Sequence, residues 1–253
     1  MKTLIASGCS YTWAHGLEGV RIEPAWPELL AKKLRMKCVN LGSCGAGNEY
    51  IYSSILDKIA TQKDIGLVIA MWSEFQRLDY EDESGTWQGM HLPDILRGIG
   101  LKEPWNNDAT KYLVEKGYGR TKQLMERSMR YFYTFQKVMQ SFDFPYLQMQ
   151  GTYHFPYHDS RLESENMFLE SEYIDLIDDT KFLGWPIAES LGGFSWDSYL
   201  DELDPKREKF RLESGGHLLK PKFSAGRDSH PNAAAHELIA DFLYKEIKKN
   251  EIL

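Results

Sequence analysis

Six consecutive apolar residues, Leu67-Val68-Ile69-Ala70-Met71-Trp72, constrain the fold more than any other stretch of the chain. The run has a strand's length. A strand that is apolar at every position has both faces covered, as at the centre of a parallel sheet with helices on either side. The flanking sequence agrees. Lys2–Ser7 reads as a short strand stopped by Gly8. Ala25–Leu34 reads as a helix with Trp26, Leu29, Leu30 and Leu34 on one face, and Pro27 suits its first turn, where a missing N–H costs little. Lys37–Leu41 is a second strand, followed by a helix over Glu49–Thr61 that Asn48 is placed to cap. Beyond the central run come a long helix at Thr121–Phe142, with Ser128 the one polar gap in its apolar stripe, and a strand at Pro145–Gln150. A last helix starts at Pro231-Asn232 and runs through Ile239, Leu243 and Ile247 to the basic pair Lys248-Lys249, which suits the negative end of the helix dipole.

Strand–helix alternation implies right-handed crossovers and an α/β fold. The expectation is one domain over residues 1–253, a three-layer sandwich around a parallel sheet, interrupted by two irregular insertions at about 78–118 and 151–216. The first insertion is read as an excursion with short helical pieces. Both follow strands, on the edge where such sheets bind ligands, and are therefore read as cleft walls or lids.

Charge and composition exclude several functions. With 30 Lys+Arg against 37 Asp+Glu, the net charge of −7 gives no global field to attract nucleic acid. No apolar run approaches the ~18 residues of a membrane helix. The start is too short for a signal peptide's apolar region of about 7–15 residues. The three cysteines, Cys9, Cys38 and Cys44, form no disulfide framework, so a cytoplasmic location is expected. No cofactor is expected.

Three short segments carry chemistry. The first strand ends in Ser7-Gly8-Cys9-Ser10, which puts Ser10 on the functional rim of an α/β sheet. The second ends in Asn40-Leu41-Gly42-Ser43-Cys44-Gly45-Ala46-Gly47-Asn48, a small-residue loop on the same rim that can bring a backbone N–H close to a substrate. Late in the chain stands Asp228-Ser229-His230-Pro231-Asn232, where His230 can act as a general base with a nearby carboxylate to orient it.

In that order, these segments resemble the blocks of the SGNH (GDSL-like) hydrolase superfamily. Gly8-Cys9-Ser10 is similar to its Gly-Asp-Ser block, Asn40 to Gly45 to its glycine block, and the Asp228–Asn232 stretch to its final Asp-x-x-His block. The resemblance implies a flavodoxin-like fold and a serine esterase or deacylase that removes an acyl or acetyl group from a small-molecule or carbohydrate ester. It assigns Ser10 as nucleophile, His230 as base, Asp228 as acid and Gly45 as an oxyanion donor. Three departures stand out. Cys9 replaces aspartate. The third block, Gly-x-Asn-Asp in the family, is Trp72-Ser73-Glu74-Phe75, which leaves Ser73 and Asn48 as candidates for the missing oxyanion donor. Arg227 stands three residues before His230, so either Asp228 or a backbone carbonyl pairs with the imidazole. A non-catalytic carbohydrate- or protein-binding relative and an acyltransferase are the alternatives.

Other readings are weaker. Zinc on Cys9, Cys44, His15 and His230 lacks paired ligand spacing. Phe155-Pro156 argues against a helical metal pair of His154 and His158. His236 is assigned to the helix surface. The aromatic cluster of Tyr153, Phe155, Tyr157, Trp185, Phe194 and Trp196 is either core packing or a sugar platform.

Overall fold

The computed structural model describes residues 1–16, 20–92, 108–154, 165–212, 221–224 and 229–253. Strands β1 (Thr3–Gly8), β2 (Lys37–Asn40) and β3 (Ile65–Trp72) lie within the first third of the chain, alternating with helices α1 (Ser10–Trp13), α2 (Trp26–Leu34) and α3 (Asn48–Thr61). An antiparallel hairpin, β4 (Arg77–Glu81) with β5 (Trp87–His91), follows. Next come α4 (Asp108–Glu115), α5 (Thr121–Ser141), β6 (Tyr146–Gln150), the two-residue strand β7 (Phe182–Leu183), α6 (Trp196–Leu203), α7 (Pro205–Leu212) and α8 (Ala233–Lys249).

Five strands form one parallel sheet in the order β2-β1-β3-β6-β7. This is the flavodoxin-like doubly wound order, whose topological switch point falls between β1 and β3. β3 is buried on both faces, and its side chains alternate between two layers as the period of a strand requires. Leu67, Ile69 and Met71 pack with Trp26 and Leu30 of α2 and with Ile239 and Leu243 of α8. Val68, Ala70 and Trp72 pack with Ile51 and Ile55 of α3 and with Phe132 and Phe135 of α5. Each large side chain buried in this way contributes about 1.5–3 kcal/mol relative to an exposed one.

The structure departs from the sequence reading in several places. The first insertion opens with the β4–β5 hairpin rather than with helical pieces alone, while residues 93–107 lie outside the described part. The second contains β7, the fifth strand of the main sheet, and helices α6 and α7. His236 is fully buried in the layer of α2 and α8, not on the helix surface. Its Nδ1 accepts from the Trp26 N–H at 3.4 Å, and burial, helped by the Arg21 charge, pushes its pKa down to about 4. Asn48 does not cap α3. The N-cap is Gly47, and the carboxylate of Asp79 on β4 accepts from the N–H groups of Gly47 (2.7 Å) and Tyr50 (3.0 Å). In the aromatic cluster, Trp196 is fully buried and Phe194 packs against it and against Phe242 of α8, as core packing requires. Phe155 and Tyr157 lie outside the described residues.

Candidate active site

Ser10 sits at the start of α1, one residue past the turn that leaves β1. That turn needs Gly8: a Cβ there would stand 2.1 Å from Thr12 Oγ1 and 3.0 Å from the Met71 carbonyl oxygen. The glycine loop after β2 is tied to the same turn. The Ser43 N–H donates to the Gly8 carbonyl at 3.0 Å. Asn40 donates to the Thr12 carbonyl at 2.9 Å, while its Oδ1 accepts from the Gly42 N–H at 2.9 Å. Gly45 has φ +79°, a left-handed conformation that favours glycine. Among the described residues, nothing accepts from the N–H of Ser10 or of Gly45.

Residues from opposite ends of the chain meet here. Ser10 Oγ lies 2.9 Å from His230 Nε2. The His230 ring is 4.8 Å from that of His15 and 5.8 Å from that of Tyr11. His15 Nδ1 in turn lies 3.5 Å from Cys44 Sγ. Among the described residues, no group of three or more His, Cys, Asp and Glu side chains is arranged to hold a metal ion. Asp228 and Arg227 lie outside the described residues.

A cavity of about 110 Å³ opens beside Ser10, walled by Tyr11, Glu74, Arg77, Tyr153 and His230 among others. Glu74 and Arg77 form an ion pair at 2.8 Å, and His91 of β5 is 2.6 Å from the other Glu74 oxygen. Burial opposes ionisation of Glu74, but the Arg77 charge and the His91 hydrogen bond outweigh it and hold the carboxyl well below its usual range. Arg77 also donates to the Ala46 carbonyl at 3.1 Å, bracing the turn that contains Gly45.

Asn48 and the backbone of Ser73 are engaged elsewhere, and the buried Ser73 hydroxyl has no hydrogen-bond partner among the described residues. Asn48 Oδ1 accepts from the Ser73 N–H at 2.8 Å, and Asn48 Nδ2 donates to Ser128 Oγ at 3.0 Å and to the Ser73 carbonyl at 3.3 Å. Both residues are buried and, like the exposed Gly45, neither is among the residues that line the cavity. Ser128, the polar gap in the α5 stripe, is therefore the partner of an asparagine across the core.

Sequence reasoning missed Arg207, Asp197 and Asp201. Arg207 is fully buried, and its guanidinium meets Asp197 Oδ1 at 2.7 Å and Asp201 Oδ1 at 2.6 Å. The only sequence signal was an arginine ten and six residues beyond two aspartates in an acidic stretch, which ordinarily reads as a solvated face.

The molecule is thus a five-stranded parallel α/β fold with a serine–histidine pair at the carboxyl edge of its sheet, beside the switch point. No protein-family profile matches the chain, and no curated protein matches it in sequence. Solved structures to which the chain is similar include a lipolytic-type protein of the G-D-S-L family from Desulfitobacterium hafniense DCB-2, with 12% identity, 97% of this chain and 99% of that one covered, and a TM-score of 0.48. The psychrotrophic esterase EstA from Pseudoalteromonas sp. shares 16% identity over 98% of both chains, with a TM-score of 0.43. An acetylxylan esterase from Geobacillus stearothermophilus shares 14% identity over 97% of this chain and 94% of its own, with a TM-score of 0.47. No described helix is long and apolar enough to cross a membrane.

Proposed function

We propose that the protein is a serine ester hydrolase that removes a small acyl group, such as acetyl, from a small-molecule or carbohydrate alcohol. The observation that carries this reading is the 2.9 Å approach of Ser10 Oγ to His230 Nε2 on the wall of a cavity. That separation is within reach for a general base and the hydroxyl it deprotonates. The cavity, at about 110 Å³ and open on one side, can admit the acyl end of an ester beside Ser10 Oγ.

In the reaction, His230 Nε2 takes the proton of Ser10 as Oγ attacks the ester carbonyl carbon, and the carbonyl π electrons move onto oxygen. The N–H groups of Ser10 and Gly45 receive the oxyanion. Collapse of the tetrahedral intermediate breaks the bond to the alcohol oxygen, which takes its proton from His230. Water, deprotonated by His230, then attacks the acyl-serine, and collapse of the second intermediate releases the carboxylic acid as His230 returns the proton to Ser10 Oγ. Asp228, two residues before His230, is the proposed partner that orients the imidazole.

The test is hydrolysis of p-nitrophenyl acetate together with labelling by a fluorophosphonate probe. The expected result is turnover and a covalent adduct on Ser10, both abolished in Ser10→Ala. Undiminished hydrolysis in that variant sinks the assignment. One observation favours a second reading, a non-catalytic sugar-binding protein: the Ser73 N–H at the third block already donates to Asn48. Loss of one oxyanion donor costs about 100–1,000-fold in rate. That reading expects neither label nor turnover, and binding of an acetylated oligosaccharide that Ser10→Ala leaves unchanged.

A further inference from the structure

The two halves of the serine–histidine pair are linked by one buried cation. Arg207, on α7, has no solvent exposure. Its Nη2 donates to Tyr11 Oη at 2.6 Å, to Asp197 Oδ1 at 2.7 Å and to the carbonyl oxygen of Ser229. Tyr11 adjoins Ser10 in α1, and Ser229 adjoins His230. A single nitrogen therefore touches the chain neighbours of both reacting residues. Its Nη1 donates to Asp201 Oδ1 at 2.6 Å and to the Asp197 carbonyl at 3.1 Å, which fixes the plane of the guanidinium. The cluster closes on itself, since Tyr11 Oη donates to Asp197 Oδ1 and Tyr153 Oη to Asp201 Oδ2 at 3.0 Å. Burial opposes the charge on Arg207, but Tyr11, Asp197 and Asp201 outweigh it and raise its pKa, so the cation is permanent.

The same short segment holds the approach to His230 from the other side. Asp204, between α6 and α7, accepts from the N–H groups of Lys222 and of Phe223, the latter at 3.3 Å. Asn232 donates to the carbonyls of Lys222 (2.8 Å) and Ser224 (3.1 Å).

Burying three formal charges is a weak route to stability, because well-packed apolar side chains of similar volume often serve as well or better. What the cluster supplies is orientation. The fork of a guanidinium fixes direction at each nitrogen, which a lysine ammonium does not. We propose that Arg207, held by Asp197 and Asp201, is a positioning residue that sets His230 against Ser10 by gripping the Ser229 carbonyl and the Tyr11 hydroxyl. The proposal rests on the esterase reading for its catalytic consequence, although the positioning itself can be measured without catalysis.

The experiment compares wild type with Arg207→Lys and Asp201→Asn. Asp201 does not itself line the cavity, although Tyr153 of the wall donates to it, and its replacement by asparagine keeps the side-chain shape. Three quantities are measured: kcat and KM on p-nitrophenyl acetate, the thermal midpoint, and the rate at which diethyl pyrocarbonate modifies His230, with His91 as an internal control. A displacement near 1 Å costs about 100-fold in rate. Arg207→Lys is therefore expected to lose on the order of 10- to 100-fold in kcat with KM within about twofold, and Asp201→Asn a smaller part of that loss. In both, His230 should be modified several times faster while His91 is not. If Arg207→Lys does not fold, Asp201→Asn carries the test. A folded variant with unchanged kcat and unchanged His230 reactivity overturns the proposal. If wild type shows neither turnover nor labelling, the esterase reading fails. The positioning role then stands or falls on the His230 modification rates alone.

Discussion

Ser10 and His230 reach the same cavity by opposite physical means. Ser10 is carried by the sheet. β1 is buried along its whole length, β2 and β3 flank it, and the turn into α1 is set by packing at Gly8 and by backbone hydrogen bonds from the glycine loop. His230 is carried by a wall. Among the described residues, no strand of the main sheet leads into it, and its neighbours are held by Arg207, Asp204 and Asn232 through hydrogen bonds to main-chain groups. The sheet side relies on area removed from water, which is large and non-directional. The wall side relies on directional polar contacts, each modest in net energy but strict in geometry. The difference teaches that such a site can be stable on one side and tuned on the other. Substitutions in the sheet should lower stability before activity, and those in the wall should lower activity before stability.

The sharpest break would come from the pair itself. Ser10→Ala and His230→Ala should each lower kcat by about 10⁴-fold or more, and the double variant should be little worse than either, since residues that act as a unit are grossly non-additive. Thermal midpoints should stay within a few degrees of wild type. If the two losses multiply, the residues act independently and do not form one site.

Asn48 tests the sheet side. It ties the end of β3 to α5 through three hydrogen bonds, and its removal strands the Ser73 N–H in the core. Each buried group left unsatisfied costs about 1–3 kcal/mol. Asn48→Ala should therefore lower the free energy of unfolding by about 2–4 kcal/mol in urea titration. The activity per folded molecule should fall far less than in Arg207→Lys. A loss of kcat at full stability would reverse the comparison and put Asn48 in the chemistry.

His236 lies in the opposite layer, between α2 and α8, and makes the stability of the sheet side depend on pH. Its folded pKa of about 4 lies below the ordinary 6.5, so between those values the unfolded chain binds the extra proton and the folded chain does not. This contribution is complete above pH 6.5 and is lost as pH falls towards 4. It reaches about 3 kcal/mol from the difference in pKa. Urea midpoints measured across that window should flatten in His236→Leu. If the slope stays unchanged, other groups titrate there and His236 does not set it.

The same contrast explains what could be read from the chain in advance. The sheet side was legible because apolar runs and helical stripes are local: Leu67–Trp72 appears as a continuous run, and the α5 stripe and the face of α8 as periodic patterns. Ser10, Gly45 and His230 were legible as residues beside strand ends and ahead of the last helix. The spacing of Ile239, Ala240, Leu243 and Ile247 places His236 on the buried stripe, against the helix-surface reading that a polar side chain invites. β7 has only two residues and no period to detect. Asn48 was read as a cap because its true partners, Ser73 and Ser128, are far away in sequence and its capping task falls to Asp79 on the hairpin. Arg207 was illegible for the same reason. A buried ion cluster and a solvated acidic face have the same composition, and they differ only in tertiary partners.

Gly45 offers the smallest effect and a fine discrimination. Its φ of +79° is strained for any residue with a Cβ, yet a Cβ there would meet nothing within 4 Å. The whole cost of Gly45→Ala is therefore backbone, about 1–2 kcal/mol for a left-handed residue, and it should appear as a small shift of the urea midpoint. The alanine keeps its N–H, so a donor held in place by Arg77 on the Ala46 carbonyl should still serve the oxyanion, and kcat should fall by less than about tenfold. Relief of the strain by a flip of the turn would instead remove the donor and lower kcat by about 100-fold or more with the midpoint unchanged. Such a result would place the glycine loop with the wall, tuned by geometry, and not with the sheet that carries it.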